Sequence, residues 1–370
     1  MLSLKIAIIG SRGIPNCYGG FEQLAQYLAE GLLKAGHELT VYNSHKHPYQ
    51  KNEWNGVKII HCFDGEYLWG TAGQFIYDLN CIRNAKKNNF NVILFLGYTS
   101  SSVWRRLFPK KALIISNMDG LEWKRTKYSK PVRHFLKYAE RLAVQYSDHL
   151  ISDSPVIQAY LKNKYGAESR YIPYGAVTGG NVNEAILDRF MLTKQNYFML
   201  MARPERENNI EMILEGFHQS RLDKNFLVVG STNTSFGKSL VKKFSRDKRI
   251  LFAGAMYDAD STHTLKTFCA MYFHGHSVGG TNPSLLEAMA DGALIAAHDN
   301  EFNRAVLQED AFYFTTAAEV QQLMESVWTN ENNQGKVENN FAKIRDKYNW
   351  PTVISQYEKF ISSCYNQSAT

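Results

Sequence analysis

No apolar run in this 370-residue chain approaches the length of a membrane span; the longest, such as Val92–Leu96, are strand-sized. Cysteine is scarce. The five, at positions 17, 62, 81, 269 and 364, are odd in number and never in CxxC spacing, which excludes a disulfide or zinc framework and points to a reducing, cytoplasmic setting. The opening MLSLKIAIIG lacks a charged leader, a long apolar stretch and a cleavage site, so it reads as a first strand and not as a signal peptide. There is no repeat, no low-complexity tract and no helix-turn-helix, zinc-finger or RNA-binding signature. Ser154 precedes a proline without the glycines of a nucleophile elbow, which argues against a serine hydrolase. Metal ligation is also poorly supported. Asp258-Ala-Asp260 precedes a helix and reads as capping acids, and His274 and His276 have no third ligand nearby in sequence and read as site-lining residues. We therefore expect no metal and no cofactor.

What is present is a chain long enough for two domains, with ordinary globular content of 44% apolar and 21% charged residues. The net charge of +7 is lopsided: residues 1–180 carry +10 and the remainder −3. Between Arg105 and Arg141 eleven basic residues face three acids, interleaved with Trp104, Phe108, Trp123, Tyr128, Phe135 and Tyr138. Basic and aromatic residues so mixed suit an anionic membrane surface, and without a nucleic-acid motif we favour that partner over nucleic acid.

Short β-rich runs (Leu4–Ile9, Glu38–Tyr42, Val57–Cys62, Asn91–Leu96, Ala112–Ser116, Asp148–Ser152) alternate with helical patterns over Phe21–Ala35, Thr71–Lys87, Lys130–Tyr146 and Pro155–Lys164. After a glycine-bearing linker near residues 175–195 the pattern restarts at Tyr197–Met201 and runs through helices around Ala317–Val327 and Phe341–Tyr348. This predicts an α/β protein of two Rossmann-like domains. Their parallel sheets should face an interdomain cleft at the strands' carboxyl ends. The boundaries we expect are 1–175 for the first domain and 176–351 for the second, with a terminal helix at 352–370 packing back on the first.

The stretch His274–Gly292, HGHSVGGTNPSLLEAMADG, passes from a strand through a Gly-Gly turn into a helix with Asn282 as N-cap, Pro283 at its first position and Gly292 at its end. A helix start after a glycine loop presents unpaired N–H groups and a positive dipole end to an anion, and Glu287 stands one turn inside. Phosphates together with hydroxyls are what a nucleotide-sugar offers. The first strand ends in a second glycine loop, Gly10 to Glu22, with glycines at 10, 13, 19 and 20. It is not GxGxxG, and Asn43-Ser44 in place of an acid after the second strand tells against a dinucleotide dehydrogenase. In the second domain Arg203 follows a strand directly, where a guanidinium suits a diphosphate; Arg206 is a weaker candidate.

GSRGIP…YGGFE, NMDGLEWKR and HSVGGTNPSLLEAM, in that order, resemble the retaining GT-B glycosyltransferases of family-four type, and more narrowly the bacterial rhamnosyltransferases of capsule and polysaccharide assembly. The resemblance implies that Glu287 binds the donor ribose, that Gly280, Thr281 and Asn282 serve the sugar or diphosphate, and that Arg203 neutralises the leaving diphosphate. Gly13, Gly19 and Gly20 would also lie on the donor. Asp119 would orient or deprotonate the acceptor hydroxyl, with Trp123, Lys124 and Arg125 on the acceptor side, and Glu22 would match the dipole of the first helix. Two departures stand out: Gly279 replaces the earlier of two acids, and Asn208 replaces a lysine five residues after Arg203. The implied reaction transfers a sugar, with dTDP-L-rhamnose the best-fitting donor, to a polyprenyl-diphosphate-linked or oligosaccharide acceptor in cell-surface polysaccharide biosynthesis. It would run with retention, without metal, in the cytoplasm or on the inner face of the plasma membrane. A nucleotide-sugar epimerase and a non-catalytic glycan-binding protein are the rival readings.

Overall fold

A computed structural model describes residues 3–17, 19–125, 127–326 and 333–369. Tyr18 of the first glycine motif, Val327 at the end of an expected helix and Thr370 lie outside the described residues. The chain divides into two compact units. One comprises residues 1–123, 128–174 and 350–370; the other comprises 124–127 and 175–349.

The first unit is built on eight strands: β1 (Lys5–Ile9), β2 (Glu38–Ser44), β3 (Glu53–Trp54), β4 (Val57–Cys62), β5 (Val92–Leu96), β6 (Leu113–Asn117), β7 (His149–Ser152) and β8 (Arg170–Tyr171). They lie in the order β3-β4-β2-β1-β5-β6-β7-β8, parallel except for the β3–β4 pair. β1 pairs with β2 on one side and β5 on the other, and β1 and β5 are Ile/Val/Leu-rich because they are covered on both faces. The connecting helices are α1 (Gly20–Lys34), α2 (Glu66–Trp69), α3 (Gly73–Ala85), α4 (Lys130–Tyr146) and α5 (Pro155–Tyr165). The short α2 was not evident from periodicity, since its Tyr67, Leu68 and Trp69 are all exposed.

The second unit begins with α6 (Ala185–Arg189) and carries β9 (Tyr197–Met201), α7 (Ile210–Gln219), β10 (Asn225–Val229), α8 (Ser235–Phe244), β11 (Ile250–Gly254), α9 (Ala259–Thr267) and β12 (Met271–His274). It continues with α10 (Pro283–Ala290), β13 (Ile295–His298), α11 (Glu301–Leu307), β14 (Phe312–Phe314), α12 (Ala317–Ser326) and α13 (Gln334–Asp346). Its sheet runs β11-β10-β9-β12-β13-β14, parallel in every pair. Phe198, Phe217, Phe226 and Phe273 meet at its centre with ring centroids 5.3–6.3 Å apart. Sequence reasoning passed over α11. Its start is nonetheless marked, because the Asn300 side chain accepts from the N–H groups of Phe302 and Asn303.

The last helix, α14 (Trp350–Ala369), belongs to the first unit. Trp350 stacks on Tyr27 of α1 at 4.2 Å, and Asn117 donates to the Tyr357 hydroxyl at 3.0 Å. Gly31 permits this close packing, because a Cβ there would overlap the Ile354 side chain.

Candidate functional site

In the first unit the glycine loop after β1 is clipped at several points. Asn43, at the end of β2, accepts from the Ile14 N–H at 3.0 Å and donates to the Ile14 carbonyl at 2.8 Å. Gly13 sits at φ +126°, and any Cβ would collide with that carboxamide, so this position requires glycine. Glu22 accepts from the Arg12 N–H at 2.7 Å. It is therefore more than the dipole-matching acid expected: it is nearly buried and ties the loop back onto α1. The Tyr77 hydroxyl donates to the Ser11 carbonyl at 3.0 Å, and Arg12 pairs with Glu66 through Nε at 2.9 Å. Gly19 is the extended N-cap of α1 at φ −171°, and Gly20 is the helix's first residue. Nothing in that conformation demands glycine at position 19.

Asp119 follows β6 and accepts from the Tyr174 hydroxyl at 3.3 Å. Trp123 donates from its indole to Glu140 at 3.1 Å. Glu140 itself is 1% exposed and gathers Lys164 at 2.9 Å and the hydroxyls of Tyr160 and Tyr165 at 2.8 and 2.7 Å. Burial opposes the Lys164 charge, but its bonds to Tyr160, Tyr165 and Glu140 outweigh this and raise its pKa. In sequence Glu140 is merely one of three acids in a basic stretch; only folding brings five donors to it, the Tyr98 hydroxyl at 3.5 Å being the fifth. Elsewhere on α4, Val132, Phe135, Tyr138 and Tyr146 are exposed, and Phe135 meets Phe75 of α3 at 5.5 Å.

In the second unit Arg203 is exposed just beyond β9. Asn208, where the resemblance led us to expect lysine, is buried and donates to the Arg203 carbonyl at 2.8 Å. It serves the loop's shape instead of adding charge. Arg206 lies over the Phe236 ring at 4.9 Å, in keeping with a packing role. β9 and β12 are neighbours in the sheet, and the loops that follow them are knitted together. Ser277 donates from N–H and hydroxyl to the Glu207 carbonyl at 3.0 and 2.8 Å, and Asn209 donates to the Gly275 carbonyl at 2.8 Å. Adjacent parallel strands thus place Arg203 and the start of α10 at the same edge of one sheet.

At α10 the Asn282 side chain accepts from the Ser284 N–H at 3.0 Å, Pro283 fills the first position and Gly292 lies at φ +71° past the end, as the sequence implied. Gly280 and Thr281 form the loop before the cap, and Thr281 is buried. Glu287 is joined by a residue that sequence reasoning missed. Lys266 of α9, almost fully buried, lies 3.3 Å from Glu287 and 2.8 Å from Asp291. Burial would lower its pKa, but those two carboxylates prevail and push it up to about 12. Asp258 caps α9 by accepting from the Ser261 N–H at 2.9 Å, as the capping interpretation required.

The segment 124–127 groups with this second unit, where the sequence reading had set Lys124 and Arg125 beside Trp123 on the acceptor side. Lys124 lies 3.4 Å from Glu301, Lys127 3.0 Å from Glu205, and Arg125 3.6 Å from Glu205 and 3.9 Å from Glu207. Burial of Glu205 works against its charge, but Lys127, Arg203 and Arg125 together hold its carboxyl below the ordinary value.

Two parallel-sheet units, with a capped helix start and an arginine at one sheet edge, define the class. The chain has the GT-B fold, and its structural neighbours are GT-B glycosyltransferases. It resembles the sucrose-phosphate synthase of Thermosynechococcus elongatus at TM-score 0.79 and 17% identity, over 98% of this chain and 100% of that one. Anabaena HepE in complex with UDP and glucose matches at TM-score 0.75 and 13% identity, over 98% and 100%. WaaG, a glycosyltransferase involved in lipopolysaccharide biosynthesis, matches at TM-score 0.69 and 12% identity, over 97% and 99%. A family model described as a domain of unknown function, DUF1972, matches residues 4–177. A Klebsiella pneumoniae protein described as an uncharacterized 42.6 kDa protein in the cps region is 38% identical over 70 residues, 19% of each chain.

Proposed function

We propose that this protein is a glycosyltransferase that takes a sugar from a nucleoside diphosphate and places it on an acceptor hydroxyl in cell-surface polysaccharide assembly. The observation that carries the reading is the edge of the second sheet, where exposed Arg203 and the capped start of α10, with Glu287 one turn inside, lie on adjacent strands. Charge developing on a departing diphosphate is stabilised by a guanidinium and a helix N-terminus held in place beforehand. Glu287, held by Lys266, accepts from the donor ribose. Gly280, Thr281 and Asn282 serve the sugar or diphosphate, and the clipped loop with Gly13, Gly19 and Gly20 is the first unit's contribution to the donor. Asp119 orients or deprotonates the acceptor hydroxyl, with Trp123 beside it on the acceptor side. The fold neighbour HepE is described in complex with UDP and with UDP-glucose, which supports a nucleotide-sugar as substrate. The cps-region relative supports a polysaccharide setting.

Within this reading the donor is dTDP-L-rhamnose, the transfer is retaining and metal-independent, and the acceptor is a polyprenyl-diphosphate-linked sugar or an oligosaccharide. The acceptor is met at an anionic membrane face through the exposed aromatic and basic residues of α4. Among the described residues no helix is long and apolar enough to cross a membrane. The test is a panel of nucleotide-sugars incubated with the protein, with and without membrane extract, following nucleoside diphosphate release. Acceptor-dependent release with one donor supports the reading. Conversion of the nucleotide-sugar to its epimer without acceptor supports an epimerase, and no acceptor-dependent release with any donor overturns transfer. Arg203→Ala should lower turnover about 100-fold, the scale seen on removing one transition-state charge partner, and Glu287→Ala should lower it through weaker donor binding.

A further inference from the structure

The contact between α9 and the end of α10 is built from charge. Asp291, the first residue past α10, donates its N–H to the Glu287 carbonyl at 2.9 Å, and its own carbonyl accepts from the Thr267 hydroxyl at 3.1 Å. Both oxygens of its carboxylate are taken up within the unit: Oδ1 meets Nδ1 of His263 at 2.6 Å and Oδ2 meets Nζ of Lys266 at 2.8 Å. A carboxylate only accepts, so Nδ1 of His263 carries the hydrogen, and it donates this bond in either charge state of the ring. Gly180 lies against that ring, so closely that a Cβ there would overlap it. His263 and Lys266 stand three apart on α9 and so share one face of it.

Two carboxylates one helical turn apart repel each other, and here the Lys266 ammonium lies against both. It does not lie evenly. Lys266 is 2.8 Å from Asp291 but 3.3 Å from Glu287, and the Asp291 side chain is 8% exposed against 32% for Glu287. Attraction is stronger over the shorter distance and in the drier place, so Asp291 takes the larger part of the Lys266 charge. Glu287 is steadied by the same cation and is not neutralised by it. It keeps negative charge to offer and enough exposure to offer it, whereas Asp291 is spent on His263 and Lys266.

We infer that Asp291 and His263 are positioning residues for donor binding: by fixing Lys266 they keep the Glu287 carboxylate anionic and in place for the ribose hydroxyls, without touching the donor themselves. This rests on the reading of Glu287 as the group that accepts from the donor ribose. The test is calorimetric titration of the full chain with UDP, dTDP and their 2′,3′-dideoxy analogues, which lack the hydroxyls that Glu287 would meet. Wild type is compared with Glu287→Ala, Asp291→Asn, His263→Ala and His263→Asn. Asp291→Asn keeps the size of the side chain but leaves the whole Lys266 charge to Glu287. It should weaken the diphosphate that the wild type binds by about tenfold, the scale of a lost charged hydrogen bond, and the dideoxy analogue by less than about twofold. His263→Ala should show the same selective loss, smaller in size. His263→Asn, whose amide N–H can stand where Nδ1–H stood, should recover most of it. Equal losses for a diphosphate and its dideoxy analogue overturn the positioning role and leave the donor reading intact. So does an unchanged Asp291→Asn beside a Glu287→Ala that loses the hydroxyl-dependent part of binding. No hydroxyl-dependent loss in Glu287→Ala, or wild-type protein that binds none of the four compounds, overturns both. Thermal melts check folding, and the two His263 variants carry the test should Asp291→Asn unfold.

Discussion

Asp78 on α3 is completely buried beside Cys81, with Oδ2 accepting from the Ser100 hydroxyl at 2.5 Å. Burial dominates and, with a smaller push from the charge of Asp64, raises the carboxyl from 3.8 to about 7, even though the Ser100 bond works the other way. Because the folded value lies above the unfolded one, the native state holds its proton more tightly. Stability from this group is complete below about pH 4 and is lost as pH rises through about 7. A shift of roughly three units corresponds to about 4 kcal/mol between the two limits. Asp78→Asn removes the charge and keeps an oxygen for Ser100. We predict that it stabilises the first unit by about 2–4 kcal/mol at pH 8 and changes it by less than about 1 kcal/mol at pH 4. Urea unfolding at both pH values, followed by tryptophan fluorescence, measures this. An equal effect at the two pH values, or destabilisation at pH 8, would refute the assignment of burial as the cause.

Glu140→Ala should cost the first unit about 3–5 kcal/mol, because it strands a half-buried Lys164 and four further donors; denaturant midpoints and the emission maximum of Trp123 report it. Lys266→Met leaves Asp291 and Glu287 without their shared cation. A comparable loss should appear in the second unit's unfolding, with a raised KM for donor and a smaller change in kcat. Gly13→Ala forces a side chain into a left-handed conformation against Asn43. About 1–3 kcal/mol of destabilisation is expected from the backbone alone, and Asn43→Ala should mimic it, measured by melting temperature. For the membrane face, Phe135→Ser combined with Tyr138→Ser should reduce sedimentation with anionic phosphatidylglycerol vesicles without altering diphosphate binding; unchanged sedimentation would remove α4 from that role.

Much of the scaffold was legible from local pattern. Continuous Val/Ile/Leu runs such as Val92–Leu96 announce strands covered on both faces, and alternation with helical periodicity announces parallel crossovers. The start of α10 was equally plain, because capping chemistry is written within four consecutive residues, Asn282 to Leu285. α11 was passed over although its cap is just as local, since seven residues provide too little periodicity. α2 was missed because it turns its apolar side chains to solvent.

What the sequence determined by itself is whatever depends on neighbours along the chain: strand and helix placement, the caps at Asn282 and Asp258, and the glycine loops after β1 and β12. What only the tertiary structure decided is which distant groups share charge and hydrogen bonds. Glu22 clips Arg12, Asn208 shapes the Arg203 turn, Lys266 joins Glu287 across 21 residues, and Glu140 collects donors from three other segments. No periodicity encodes such pairs. They arise because parallel strands bring the ends of separate βα units to one sheet edge, and because a buried charge persists only where another part of the fold meets it.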